Sequence, residues 1–164
     1  MGRWLMMMAA ALVLSACGFQ PLYGNAQGTG GAVNALQQVR IEPIPDRLGQ
    51  KLRNFLLDRI NPAGTPSHPS HSLRLETSVS RTDLGIERNE TATRALLVLS
   101  VSYTLFSYKD DRIVFSGSER SSNSFNIVAS DFATASAEID ALDRAAREIS
   151  NDIKNRLGLF FSRR

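Results

Sequence analysis

TATRALLVLSVSYTLFSY, residues 91–108, is the stretch on which the fold turns. It contains no Gly and no Pro, and Thr, Leu, Val, Tyr and Phe dominate it. Residues of these types fit a pleated, half-buried surface. Leu97, Leu99, Val101, Tyr103 and Leu105 lie on one side of a period-two alternation. Ser100, Ser102 and Thr104 lie on the other side, flanked by Leu96, Val98 and Phe106. The pattern predicts a middle strand in a sheet that is covered on one face and wet on the other.

The neighbouring segments extend this reading. Lys109-Asp110-Asp111 is a turn, so the next strand returns antiparallel. Ile113, Phe115 and Gly117 alternate there with Val114, Ser116 and Ser118. From Ser116 to Ser124 the chain becomes rich in Ser and Asn, which predicts a strand running out into a polar, solvated extension. Upstream, Leu73 to Ile86 alternates cleanly, with Leu73, Leu75, Thr77 and Val79 against Arg74, Glu76, Ser78 and Ser80. Gly85 allows a bend near its end.

Farther out, Leu48, Leu52, Phe55, Leu56 and Ile60 recur at helical spacing, predicting a helix over Asp46–Ile60 with Asp46 as its cap. Leu36 to Ile44 reads as a first strand, stopped by Pro43 and Pro45. Ser130 or Asp131 caps a long amphipathic helix whose stripe runs Ile139, Leu142, Ala146, Ile149, Ile153, Leu157. Gly158 is read as its stop. Packing on the sheet is the expected role of that stripe, since the sheet's apolar face needs a cover; binding a membrane surface is the alternative. The predicted fold is α+β: a two-layer sandwich over residues 36–158, with a four-stranded, mostly antiparallel sheet and two helices on one face, in the order β-α-β-β-β-α. Residues 159–164 form a C-terminal tail of apolar residues and arginines, read either as a membrane or partner contact or as a frayed end.

The N-terminus has a different character. Arg3, an uncharged apolar run from Trp4 to Val13, and small residues at Ser15 and Ala16 have the layout of a secretory signal peptide over residues 1–16. The run is far short of the ~20 residues that span a bilayer. Leu14-Ser15-Ala16-Cys17 resembles the bacterial lipobox. That resemblance implies diacylglycerol on the Cys17 sulfur, cleavage before Cys17, and acylation of the new amine, for example by palmitate. Several acyl chains anchor a protein stably where one holds only marginally. Gly18 stands where an aspartate would retain a lipoprotein at the inner membrane, so the expected address is the outer membrane, lipid-anchored on its periplasmic side. Cys17 is the sole cysteine, which excludes an internal disulfide. Residues 17–35 then read as a lipidated tether, with Asn25–Asn34 rich in Gly, Ala and Asn and so flexible.

Charge and composition limit the partners. The chain carries 19 Lys+Arg against 16 Asp+Glu, a net +3, and losing Arg3 with the signal brings this to +2. There is no basic tract interleaved with aromatics, so nucleic acid is not an expected partner. The only lysines are Lys51, Lys109 and Lys154; arginine, the commoner cation here, suits fork-like pairing with phosphate or carboxylate.

Catalysis needs a nucleophile, a base and a stabiliser that converge, and none is evident. No Gly-x-Ser-x-Gly turn is present, and the carboxylates are scattered over polar faces and turns. His68 and His71 share one Pro- and Ser-rich loop that offers no third ligand of fixed position, so no metal and no cofactor is expected.

Cys17-Gly-Phe-x-Pro-Leu-Tyr-Gly24 resembles the start of the mature proteins of the lipopolysaccharide-assembly lipoprotein family LptE, also called RlpB. The Thr91-x-Thr93-Arg94 entry into the central strand is similar to the same family. The resemblance implies the same fold. It also implies a lipoprotein that sits in the lumen of the outer-membrane barrel LptD, plugs it, assists its assembly, and helps insert lipopolysaccharide into the outer leaflet. A barrel lumen is polar, and the open sheet face predicted here supplies hydroxyls at Ser78, Ser80, Ser100, Ser102, Thr104, Ser116 and Ser118. Arg94 and Arg120, which flank the central strands, are candidate ligands for lipopolysaccharide phosphates. Their competing reading is as plain surface arginines or as ion-pair partners of Glu90 or Glu119. Two other functions compete with the resemblance. One is a generic outer-membrane lipoprotein adaptor that binds an envelope protein without a lipid ligand. The other is a periplasmic lipid carrier, which needs an enclosed apolar cavity that the sequence has no surplus of apolar residues to line.

Overall fold

All the buried apolar side chains of the central strand except Val98 point the same way. The structure is a computed structural model that describes residues 29–86 and 92–163. The signal peptide, Cys17, the Cys17–Gly24 motif, Glu90 and Thr91 lie outside them. Strand β3 (Ala92–Ser107) runs between β2 (His71–Ile86) and β4 (Arg112–Asn126), antiparallel to both. A short β1 (Val39–Ile41) joins β2 in parallel, giving a mixed sheet of order β1-β2-β3-β4. Ala95, Leu97, Leu99, Val101, Tyr103 and Leu105 are all buried. Because side chains alternate between faces, these odd-numbered positions define the covered face and the even-numbered ones the other.

Three helices occur among the described residues: α1 (Thr29–Gln37), α2 (Asp46–Ile60) and α3 (Asp131–Ser162). Helix α2 buries Leu52, Leu56 and Ile60, and α3 buries Ala145, Ala146, Ile149, Ile153 and Leu157 in the same cluster as Leu73, Leu99, Val101 and Leu105. Each such Leu or Ile contributes ~1.5–3 kcal/mol relative to exposure. At 1.5 Å per residue the 32 residues of α3 reach about 48 Å, nearly the length of the strands beneath. Lys51 of α2 and Asp143 of α3 form an ion pair (2.6 Å) between the two helices. The architecture is therefore the expected α+β sandwich with helices over one face.

The first expected strand is shorter than the sequence suggests. Of Leu36–Ile44, only Val39–Ile41 is strand, and α1 takes residues 29–37. Gly and Asn make this a poor helix on propensity alone. Ala32 and Leu36, one turn apart, are buried, and that packing decides the conformation.

The polar extension expected after Ser116 is ordinary strand. β4 pairs with β3 as far as Asn126. Its inward polar residues find partners on α3: the Ser121 hydroxyl donates to Glu148 (2.6 Å), and Arg144 donates to Asn123 (3.4 Å).

Helix α3 does not stop at Gly158. A side chain there would have met Leu36 of α1 at 3.7 Å, and the helix continues to Ser162. Phe161 is buried edge-on to His71 (5.2 Å between ring centres), and Phe160 packs on Phe115 (5.0 Å). Residues 159–162, read as part of a tail that is either a contact or a frayed end, are therefore the last turn of the helix, held by the aromatic contacts of Phe160 and Phe161, with Leu159 half-exposed.

Caps behave nearly as expected. Ser130 accepts from the Ala133 N–H (3.3 Å). Asp46, at φ +67°, accepts from the Gly49 N–H (2.8 Å) and so caps α2 through its side chain.

Candidate functional site

The face of the sheet away from α2 and α3 carries every candidate contact residue that the sequence singles out. Three cross-strand rows define its centre: Ser78–Ser100–Arg120, Glu76–Ser102–Ser118 and Arg74–Thr104–Ser116. Ser80 and Ser122 flank Val98 in the next row. Ser78, Ser102 and Ser116 are exposed, and Ser100 and Thr104 are half-exposed. The even-numbered residues at the centre of the three strands thus combine into a surface of hydroxyls with charges at Arg74, Glu76 and Arg120, and Leu84, Leu96 and Val98 make its other end more apolar.

Arg94 and Arg120 both lie on this face, but the register keeps them apart. Arg120 is opposite Ser100, whereas Arg94 is opposite Leu84 and Asn126. Six residues along β3 separate Ser100 from Arg94, a distance of about 20 Å. A single phosphate cannot be held by both. Glu119 is not the partner of Arg120: it points to the helix side, where Arg156 pairs with it (2.5 Å) and the Tyr103 hydroxyl donates to it (3.3 Å).

The sequence did not single out the end of this face nearest the β3–β4 turn. Glu42, just beyond β1, accepts from the Ser72 hydroxyl (2.6 Å) and pairs with Arg74 (3.4 Å). The Ser72 hydrogen bond, and after it Arg74, hold the Glu42 carboxyl below its ordinary value against the opposing effect of burial. Phe106, Tyr108 and Ile113 stand beside these groups and with Thr104 line a groove of about 360 Å³. Tyr108 and Ile113 are 48% and 59% exposed, large apolar side chains at the turn end of a hydroxyl-rich face. A second groove of about 320 Å³ runs along Arg74, Glu76, Ser102, Ser116 and Ser118. Arg74 stands at the border of both. The alternation did put Arg74 on the wet face. Its pairing with Glu42 depends on the parallel register of β1 with β2, which has no local sequence signature.

The two histidines have different environments. His68 is exposed in its loop, while His71 begins β2, lies within 2.8 Å of the Ser70 hydroxyl through Nδ1 and stacks edge-on against Phe161. Among the described residues no group of three or more His, Cys, Asp or Glu is placed to hold a metal ion. No described helix is long and apolar enough to cross a membrane.

Comparison with known proteins bears on the family and the fold. A family model described as LptE, lipopolysaccharide-assembly, matches residues 36–157. No curated protein matches the chain by sequence. Among solved structures, a protein of Caulobacter crescentus described as a lipoprotein is 23% identical; the match covers 81% of this chain and 97% of that one with a TM-score of 0.67. A minor lipoprotein of Acinetobacter baumannii is 16% identical over 74% of this chain and 88% of its own, TM-score 0.57. The uncharacterised lipoprotein B of Nitrosomonas europaea is 14% identical over 76% and 83%, TM-score 0.58. At these identities the structural likeness speaks to the fold.

Proposed function

Since the chain belongs to the LptE lipopolysaccharide-assembly family, we propose that it is a lipid-anchored outer-membrane protein that plugs and helps assemble the LptD β-barrel and assists lipopolysaccharide insertion into the outer leaflet. The observation that carries this reading is the sheet face away from α2 and α3, with its hydroxyl rows and no described helix over it. A surface of this kind is mismatched to an acyl environment and matched to the polar lumen of a large barrel. The described helices close the core from one side, and in this reading the other side meets the partner.

In this reading the anchor is acylated Cys17, and Ser78, Ser100, Ser102, Thr104 and Ser116 face the barrel wall. Arg94 and Arg120, about 20 Å apart along the strands, engage separate anionic groups of lipopolysaccharide. No catalytic step is assigned; the protein works by binding and positioning.

Co-purification tests the proposal. Gently solubilised membranes should yield a roughly one-to-one complex with a large β-barrel, and a photo-crosslinker at Ser102 should capture that barrel. Recovery of a different envelope protein, with no barrel and no lipopolysaccharide, would establish the adaptor function instead.

A further inference from the structure

We propose that the groove beside Arg74, at the β3–β4 turn end of the open face, is a subsite for an anionic saccharide: a sugar ring bearing phosphate or carboxylate. The inference rests on the lipopolysaccharide reading above and identifies which part of that amphiphile the face takes.

The lining of the groove combines two chemistries. Phe106 and Tyr108 pack as an edge-to-face pair, 5.8 Å between centres, and Ile113 lies across the strand pair from Phe106. Aromatic side chains of this kind offer a broad apolar body, and Tyr adds a polar tip. That suits the C–H face of a pyranose ring. The Glu42 carboxylate, held by the buried Ser72 hydroxyl, and the Thr104 hydroxyl beside Phe106 on β3 are partners for sugar hydroxyls. Arg74 completes the set. Its Nε is directed to Glu42 while its side chain stays 70% exposed, so the guanidinium stands at the rim within reach of an anion.

Size and the Glu42–Arg74 pair in the lining argue against an acyl chain. At about 360 Å³ the groove is at the lower end for small-molecule sites, enough for one or two sugar rings. Beyond Arg74 the surface continues past the hydroxyls of Ser102, Ser116 and Ser118, which extend a track for further sugars.

Calorimetric titration of the purified full chain decides the matter, using intact lipopolysaccharide, its phosphorylated core oligosaccharide stripped of acyl chains, and inorganic phosphate. The oligosaccharide should bind saturably, and Tyr108→Ala and Arg74→Gln should each weaken it about tenfold or more without shifting the unfolding temperature. Both side chains are exposed, so neither variant threatens folding. Binding of intact lipopolysaccharide without binding of the oligosaccharide overturns the saccharide subsite and leaves the family reading intact. Equal affinity in wild type and both variants removes the ligand from this groove. Inorganic phosphate matching the oligosaccharide reduces the site to a bare anion contact and overturns the sugar assignment. Failure of intact lipopolysaccharide itself to bind overturns the reading on which the subsite rests.

Discussion

Gly117 leaves empty the space that Tyr103 fills. The two face each other across β3 and β4 on the covered side of the sheet, and a Cβ on Gly117 would lie 2.5 Å from the Tyr103 hydroxyl oxygen and 2.7 Å from Cζ. The tyrosine is held on its other side by Glu119, itself paired with Arg156 of α3. Gly117→Ala should therefore destabilise the domain by about 1–3 kcal/mol through overpacking. Chemical denaturation of the variant checks this, and Tyr103→Phe in the same background should recover part of the loss.

The same tyrosine predicts an alkaline limb of stability. Burial, and then the nearby Glu119 carboxylate, push the Tyr103 hydroxyl from 10.0 up to about 12. The folded state thus keeps its proton where the unfolded chain releases it. Stability from this group is complete below pH 10 and is lost as pH rises from 10 towards 12, by an amount on the order of 2 kcal/mol. Tyr103→Phe should flatten that limb in unfolding curves measured across the range.

Asp46 combines a left-handed backbone (φ +67°) with a side-chain cap on the Gly49 N–H. Asp46→Ala loses the cap and keeps the strain, and should cost about 1–2 kcal/mol. Asp46→Asn, which tolerates the same backbone and still accepts the hydrogen bond, should cost much less. Thermal unfolding of the pair separates them.

Gly158 is predicted to behave in the opposite sense to Gly117. It sits within α3, and its nearest neighbour for an added methyl, Leu36 Cδ1, is at an ordinary 3.7 Å. Gly158→Ala should raise stability by about 0.5–1 kcal/mol, since the helix gains propensity and nothing is displaced. A lower melting temperature would contradict that packing.

Cys17→Ala addresses the anchor. The variant should accumulate as unprocessed precursor at the inner membrane, seen as a larger species by mass spectrometry and in fractionated membranes. Its presence in normal amounts in the outer membrane would rule out anchoring through this residue.

The features readable from the sequence were those with a local period. The alternation along β3 identified which residues face the helices and which face out, and the stripe on α3 identified its cover. The misreadings share one physical cause. α1 forms in a Gly- and Asn-containing segment because Ala32 and Leu36 bury, and α3 continues past Gly158 because Phe160 and Phe161 find aromatic partners. Inward polar residues of β4 stay in the sheet because Glu148 and Arg144 meet them. Each outcome depends on a neighbour distant in sequence. The same holds for the site: its hydroxyls follow from alternation, whereas the Glu42–Arg74 pair needs the strand register.

Covering the sheet from one side only has an evolutionary consequence. The residues that keep the chain folded and the residues available for recognition are almost disjoint sets, distributed by the parity of their positions along β3. Mutations at even-numbered surface sites can therefore retune what the protein recognises while the fold persists, and drift at odd-numbered sites is penalised whatever the ligand.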